Sequence, residues 1–192
     1  MAMTLLGNGL FHAKQYKDAL VVGEAELPLR RRLGDSEGNI LSVQNNLAGI
    51  YQMVGRLEDA LQMKRGVYSG WLRLNGEEDI KSLKAANNYA LSLLFLQRFG
   101  EAKLLMRKML PVARRVFGES HHLAIMMRWN YATALYRDDG ATLDDLREAV
   151  TTIEETERAA RRLLGGEHPT TKEIARDLRN ARAALRVRES PN

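Results

Sequence analysis

The sequence predicts an all-α protein made of antiparallel helix pairs stacked one upon the next. Three observations predict it. Four stretches of similar pattern recur: LLGNGLFHAKQYKDAL at 5–20, NLAGIYQMVGRLEDAL at 46–61, NYALSLLFLQRFGEAK at 88–103 and NYATALYRDDGATLDDLREAV at 130–150. Within each unit apolar residues return every three to four positions, the period of a helix with one buried face. No alternating pattern of useful length occurs and the chain has only 4 prolines, which leaves little to build a sheet.

The units are expected at about 1–36, 37–78, 79–120 and 121–167, followed by a capping helix at 169–188 and a disordered tail at 189–192. That makes about nine helices in a single repeat domain. In the second unit Leu41, Leu47, Ile50, Tyr51 and Val54 mark one helical face, and Gly55 breaks the run. A second helix begins near Leu57 and keeps Ala60, Leu61, Val67, Trp71 and Leu74 apolar until Asn75-Gly76, read as a left-handed stop. In the third unit the Gly100 region makes a looser turn, and Phe117-Gly118 ends the second helix. The fourth unit is five residues longer, and the excess reads as a loop insertion in RDDGATLDD. In the last helix Ile174, Leu178, Ala181 and Leu185 form an apolar stripe. Arg176, Arg179, Arg182, Arg186 and Arg188 form a basic outer face, as a terminal repeat needs for solubility.

Small residues fix where the helices cross. Gly7, Ala48, Ala90 and Ala132 share one place on the first helix of each unit, and Ala19, Ala60, Ala102 and Ala149 share one place on the second. Helices approach to about 8–10 Å only where side chains are small. Leu6, Leu47, Tyr89 and Tyr131 precede the small residue and are expected to fill the space beside it. One pair cannot bury both its faces, so the units must stack.

Composition narrows the function. The 192 residues are 45% hydrophobic and 28% charged, with a formal charge of +5. The absence of cysteine excludes disulfide frameworks, thiolate metal sites and cysteine nucleophiles. No apolar run approaches the ~18 residues of a membrane span, and MAMTLLGNGLF lacks the basic start of a secretory signal. A cytoplasmic protein without a membrane role is expected. His121-His122 point to different helix faces, and His12 and His168 lie in other units, so no metal set forms. Asp138, Asp139, Asp144 and Asp145 do not have the spacing of a calcium loop. No phosphate loop, nucleophile elbow or paired-carboxylate site stands out. Neither a cofactor nor an enzymatic activity is expected.

Leu47-Ala48, Tyr51, Gly55 and Ala60-Leu61 resemble a tetratricopeptide repeat, whose usual period is about 34 residues. Here the step is 42, with the added length in the second helix and the loop after it. Asn46-Leu47-Ala48 and Gly165-Gly166-Glu167-His168-Pro169 resemble the repeat variety of kinesin light chains. The resemblance runs from about Leu5 to Leu185. It implies a right-handed superhelical solenoid whose first helices line a concave groove. It also implies a non-catalytic adaptor or scaffold that holds an extended peptide or a disordered partner segment there. No heptad-rich coiled coil precedes the repeats, so the likeness is to the cargo-reading part of a light chain. The chain is expected to be a short protein or a fragment of a longer array, a monomer or part of a larger assembly.

Asn46, Asn88 and Asn130 recur at steps of 42, each just before the packing residue. An amide offers both donor and acceptor and can grip a peptide backbone whatever its side chains. In light-chain repeats asparagines at this place contact the bound peptide, which implies that role for Asn46, Asn88 and Asn130; the same amides could instead bond neighbouring repeats. Asn45 and Asn87 stand beside them. Lys84 could meet an acidic group, and Gln52, Met53, Leu94, Phe95, Trp129 and Tyr136 would add pockets to the trough. For Trp129, stacking on the next unit is the competing role. Asn8, Asn46 and Lys84 resemble part of the carboxylate clamp of chaperone-binding repeats, although Thr4 and Asn88 stand where that clamp is basic. The arginine-bearing last helix leaves open a second class, a basic array that binds nucleic acid or an acidic partner. Nucleic acid is disfavoured because that helix has no aromatic residue for base stacking. A third class is the regulatory part of a larger multidomain protein.

Overall fold

A computed structural model describes residues 2–190. These form nine α-helices and no strand: α1 Ala2–His12, α2 Tyr16–Arg32, α3 Glu37–Met53, α4 Leu57–Asn75, α5 Ile80–Phe95, α6 Phe99–Phe117, α7 His122–Arg137, α8 Leu143–Leu164 and α9 Pro169–Glu189. The chain divides into two compact units, Met1–Ser92 and Leu93–Asn192. Ser190 caps α9, so Glu189 of the expected tail is helical, and residues 191–192 lie outside the described residues.

In the first unit α1 packs on α2, α2 on α3 and α3 on α4. Loops of a few residues turn each helix back against the one before it. Gly7 of α1, Ala19 of α2, Ala48 of α3 and Ala60 of α4 are all buried, as a close crossing requires. Leu27, Val43, Leu47 and Tyr51 close around Ala60. The crossing of α3 and α4 is close at Gly70, where an added Cβ would stand 2.6 Å from a methyl of Leu41 and would force that side chain to shift. Leu6 departs from expectation: it is 55% exposed, because no helix precedes α1 among the described residues to cover it.

The second unit repeats the scheme with α6 on α7, α7 on α8 and α8 on α9. Ala102, Ala132 and Ala149 are fully buried, among Met106, Met109, Ile125, Met127, Leu135 and Ile153. The apolar stripe of α9 turns inward at Ile174, Leu178 and Ala181, and Arg176, Arg179, Arg182, Arg186 and Arg188 are exposed.

Two local readings are corrected. The five extra residues of the fourth unit are not all loop. The α7–α8 connection is residues 138–142, against 96–98 between α5 and α6, and the remaining excess lengthens α8 to 22 residues from the 19 of α6. Thr142 and Asp145 close a reciprocal capping box at the start of α8, which fixes where that longer helix begins. The stop at Gly76 is not a left-handed helical cap, and Gly118 and Gly165, which also end helices, share its conformation. Each combines a φ of 71–89° with an extended ψ between 157° and ±180°, a region open in practice to glycine alone. The histidines serve the chain locally: His121 and His168 each turn Nδ1 to a backbone N–H at the start of α7 and α9.

Candidate functional site

In the first unit the amide-bearing first helices meet along one face. Asn46 Nδ2 of α3 donates to Asn8 Oδ1 of α1 at 3.3 Å. Asn88 Nδ2 of α5 donates to Asn45 Oδ1 of α3 at 3.0 Å. Amide contacts thus link α1 to α3 and α3 to α5. Asn45, Asn46 and Asn88 keep part of their surface open to solvent. Gln52 Oε1, further along α3, lies 3.5 Å from Ser92 Oγ, which itself donates to the Asn88 carbonyl at 3.3 Å. Lys84 is exposed on α5, and Asn87 is buried and bonded.

Behind this face lies a group that the repeat pattern did not bring forward. Lys64 belongs to α4, a second helix, yet its side chain runs between the helices to the amides. Nζ donates to Asn45 Oδ1 at 2.8 Å and to the Asn45 carbonyl at 2.9 Å. The residue is only 6% exposed. Burial pushes the amine down to about 8 from its ordinary 10.5, with no opposing carboxylate to hold it up. Asn45 Oδ1 therefore accepts from both Lys64 and Asn88. An open pocket of about 310 Å³ lies between α1 and α3, with Asn8, His12, Asn45, Asn46, Gly49 and Lys64 among its lining residues. A lysine four residues after Ala60, on the side of α4 that buries Ala60 and Val67, was the available sequence signal.

The second unit uses its expected site residues differently. Asn130 is 5% exposed and already bonded. Trp129 Nε1 donates to Asp177 Oδ2 of α9 at 2.8 Å. Tyr136 is pushed up to about 12, first by burial and then by the Asp177 charge; its hydroxyl bonds Asp177 and Asn180. Trp129 and Tyr136 thus join α7 to α9 through one buried carboxylate. Phe95, at the end of α5, is 53% exposed. Among the described residues no group of three or more His, Asp or Glu gathers as a metal set, and no helix is long and apolar enough to cross a membrane.

The tetratricopeptide repeat family model matches residues 40–80 and 82–123, the second and third of the four repeats. The chain has a tetratricopeptide-repeat fold. Solved structures extend the likeness over nearly all of it. A putative kinesin light chain of Podosopora anserina with nearly identical TPR-like repeats is 19% identical, with a TM-score of 0.79 over 98% of this chain and 87% of that one. A point variant of that protein gives 18% identity and a TM-score of 0.80 over 98% of this chain and 87% of the variant. BtubC (BKLC) from P. vanneervenii is 16% identical, with a TM-score of 0.71 over 99% of this chain and 82% of that one. At these identities the likeness is one of fold. No curated protein matches the sequence. Tetratricopeptide repeats serve generally in protein–protein interaction, and this chain shares their repeat pattern and their architecture.

Proposed function

We propose that the chain is a non-catalytic adaptor that holds an extended peptide, or a disordered segment of a partner protein, on the amide face of α1, α3 and α5. One observation carries the reading: Asn8, Asn45, Asn46 and Asn88 come there from three helices as two hydrogen-bonded pairs, Asn46 with Asn8 and Asn88 with Asn45, on a surface that stays open. Their remaining donors and acceptors match the N–H and C=O groups of an extended chain. Lys84 and Gln52 extend the face, and Phe95 offers exposed apolar surface. Asn130, Trp129 and Tyr136 belong to α7, where Trp129 and Tyr136 hold α9 through Asp177. Preorganised helices lower the ordering cost on the protein side, but the peptide still loses its own freedom, so affinity is expected near micromolar, roughly −8 kcal/mol.

The test is selection of binders from a random dodecapeptide display library, followed by titration of the enriched peptides. Replacing Asn46 and Asn88 together by alanine should weaken them at least ~10-fold with little change in the melting curve, whereas Asn130→Ala should lower the melting temperature. Unchanged affinity in the double variant, or loss of affinity only in step with loss of fold, rejects the amide face as the binding surface.

A further inference from the structure

The second unit gathers positive charge that the proposed function does not use. Arg114 of α6, Arg128 of α7, and Arg158 and Arg162 of α8 line one pocket of about 440 Å³, together with Glu119 and Glu155. Ala159, a buried residue of α8, also lines it, and its small side chain leaves the space open. Arg158 and Arg162 stand one helical turn apart and so share a face of α8. Both are exposed, and neither has an ion pair or hydrogen bond among the described residues. Arg114 and Arg128 share a single carboxylate. Glu119 Oε1 lies 2.8 Å from Arg114 Nε, and Glu119 Oε2 lies 3.4 Å from Arg128 Nη1. Arg128 Nη2 donates to the Glu119 carbonyl at 2.8 Å, but Arg128 Nε is sealed from solvent without an acceptor. Guanidinium groups stay charged at any pH a protein meets. Four of them therefore face two carboxylates, and the excess charge is positive.

A second pocket of about 440 Å³ shares Arg114, Glu119, Arg128 and Glu155 with the first and adds Leu110, Pro111 and Ala124. The charges peculiar to it are already matched: Arg107 Nη2 lies 3.5 Å from Glu148, and Tyr131 donates its hydroxyl to Glu148 at 2.7 Å. The two spaces form one cleft over α7, cationic in one half and partly apolar in the other.

We propose that this cleft binds a phosphate monoester carried on an apolar or aromatic body. A phosphate monoester brings about −1.5 to −2 charges at neutral pH, which matches the excess of guanidinium over carboxylate better than a carboxylate monoanion does. Arginine forks also suit phosphate oxygens, which accept two parallel N–H bonds from one guanidinium. Leu110 and Pro111 give the body of the ester an apolar surface. The cleft lies wholly in the second unit and contains no residue of the amide face, so it stands apart from the peptide-binding reading. Such an ester has two sources, a small free molecule and a phosphorylated tyrosine of a partner, and the probes separate them.

The experiment is calorimetric titration of the full chain at neutral pH and matched ionic strength. Phenyl phosphate should bind saturably at one site. Phenyl sulfate, a monoanion of similar shape, should bind about ten-fold more weakly, and so should inorganic phosphate, which lacks the apolar body. Arg158→Gln with Arg162→Gln keeps good helix formers and strands no partner. It should weaken phenyl phosphate at least ~10-fold without moving the melting curve. Glu155→Gln removes a like charge and should tighten phenyl phosphate about three-fold, a gain that a folding defect cannot imitate. With the capped peptide Ac-Ala-pTyr-Ala-NH2, affinity at least ~10-fold above that of phenyl phosphate assigns the ester to a partner's side chain. Equal or lower affinity assigns it to a free small molecule. No saturable binding of phenyl phosphate, or equal affinity in the double arginine variant, overturns the site. Phenyl sulfate binding as tightly as phenyl phosphate, or an unchanged affinity in Glu155→Gln, overturns the charge match. Inorganic phosphate binding as tightly overturns the role of the apolar half.

Discussion

The two units bury charge in opposite ways. In the first, the Lys64 ammonium rests against two oxygens of one asparagine, and the residue is among those that line a pocket. In the second, the Asp177 carboxylate is met by the Trp129 N–H and the Tyr136 hydroxyl, both from α7, and its residue is also buried. Both groups lie behind a first helix of the repeat. The aspartate has donors that satisfy it and ties α9 to α7. The lysine has neutral acceptors that leave its charge uncompensated. A satisfied buried charge holds helices together; an uncompensated one costs stability.

The largest way to break this contrast is to remove the satisfied charge. Asp177→Ala strands the indole N–H and leaves the Tyr136 hydroxyl with Asn180 alone. Stranding buried donors costs roughly 1–3 kcal/mol each, so a loss of about 2–4 kcal/mol is expected in chemical denaturation followed by helical circular dichroism. Asp177→Asn keeps an acceptor and should recover part of it. A loss below about 0.5 kcal/mol would mean that the apolar stripe Ile174, Leu178 and Ala181 holds α9 without help from the carboxylate.

Removing the uncompensated charge should have the opposite sign. The folded amine titrates near 8 and the unfolded one at 10.5. Between those values the unfolded chain binds more protons, so stability rises with pH across the window. The penalty is full below pH 8, shrinks as pH climbs to 10.5 and is absent above it. Lys64→Met should therefore stabilise the protein at pH 7, by up to about 3 kcal/mol, and this gain should fade by pH 10.5. Tyr136 acts the other way at higher pH. Its folded value near 12 exceeds the unfolded 10, so its stabilisation is complete below pH 10 and is lost as pH rises toward 12. Comparing wild type with Lys64→Met at each pH cancels the tyrosine. A destabilised variant at pH 7 would show that the two bonds to Asn45 outweigh the buried charge.

The fold could be read from the sequence because its signals are local and repeated. Ala19, Ala48, Ala60, Ala102, Ala132 and Ala149 mark the crossings by size alone, and each proves buried. The candidate site was harder to read for a physical reason. Repeat spacing places Asn46, Asn88 and Asn130 alike on their helices, but partners elsewhere decide what each amide does. Asn130 lies sealed in the second unit, while Asn46 stays in the open beside Asn8. Trp129 and Tyr136 are drawn to α9 by Asp177, a residue 48 positions beyond Trp129 that no repeat period connects to them. Lys64 breaks the apolar pattern of its own helix face, and a lysine stem long enough to pass between helices was the only sign of it.

The smallest effect sharpens the contrast at the helix starts. In the first unit α2 and α4 begin without a side-chain cap, at Gln15 and Arg56, and α6 likewise begins uncapped at Arg98. Only α8 among the second helices starts on a capping box, Thr142 with Asp145. Lys103 of α6 also holds Asp145 at 2.5 Å, and its ammonium with the capping bonds keeps that carboxyl below the usual carboxylate range. Thr142→Ala removes one of the two capping bonds and leaves the ion pair. A loss of about 1 kcal/mol is expected at neutral pH. Because Asp145 titrates low when folded, its share of stability is present above the ordinary carboxylate pKa and is lost as pH falls through the folded value. The difference between wild type and Thr142→Ala should therefore shrink in acid. An equal difference at pH 7 and pH 2 would assign the cap to the threonine hydroxyl alone, with the carboxylate serving only Lys103.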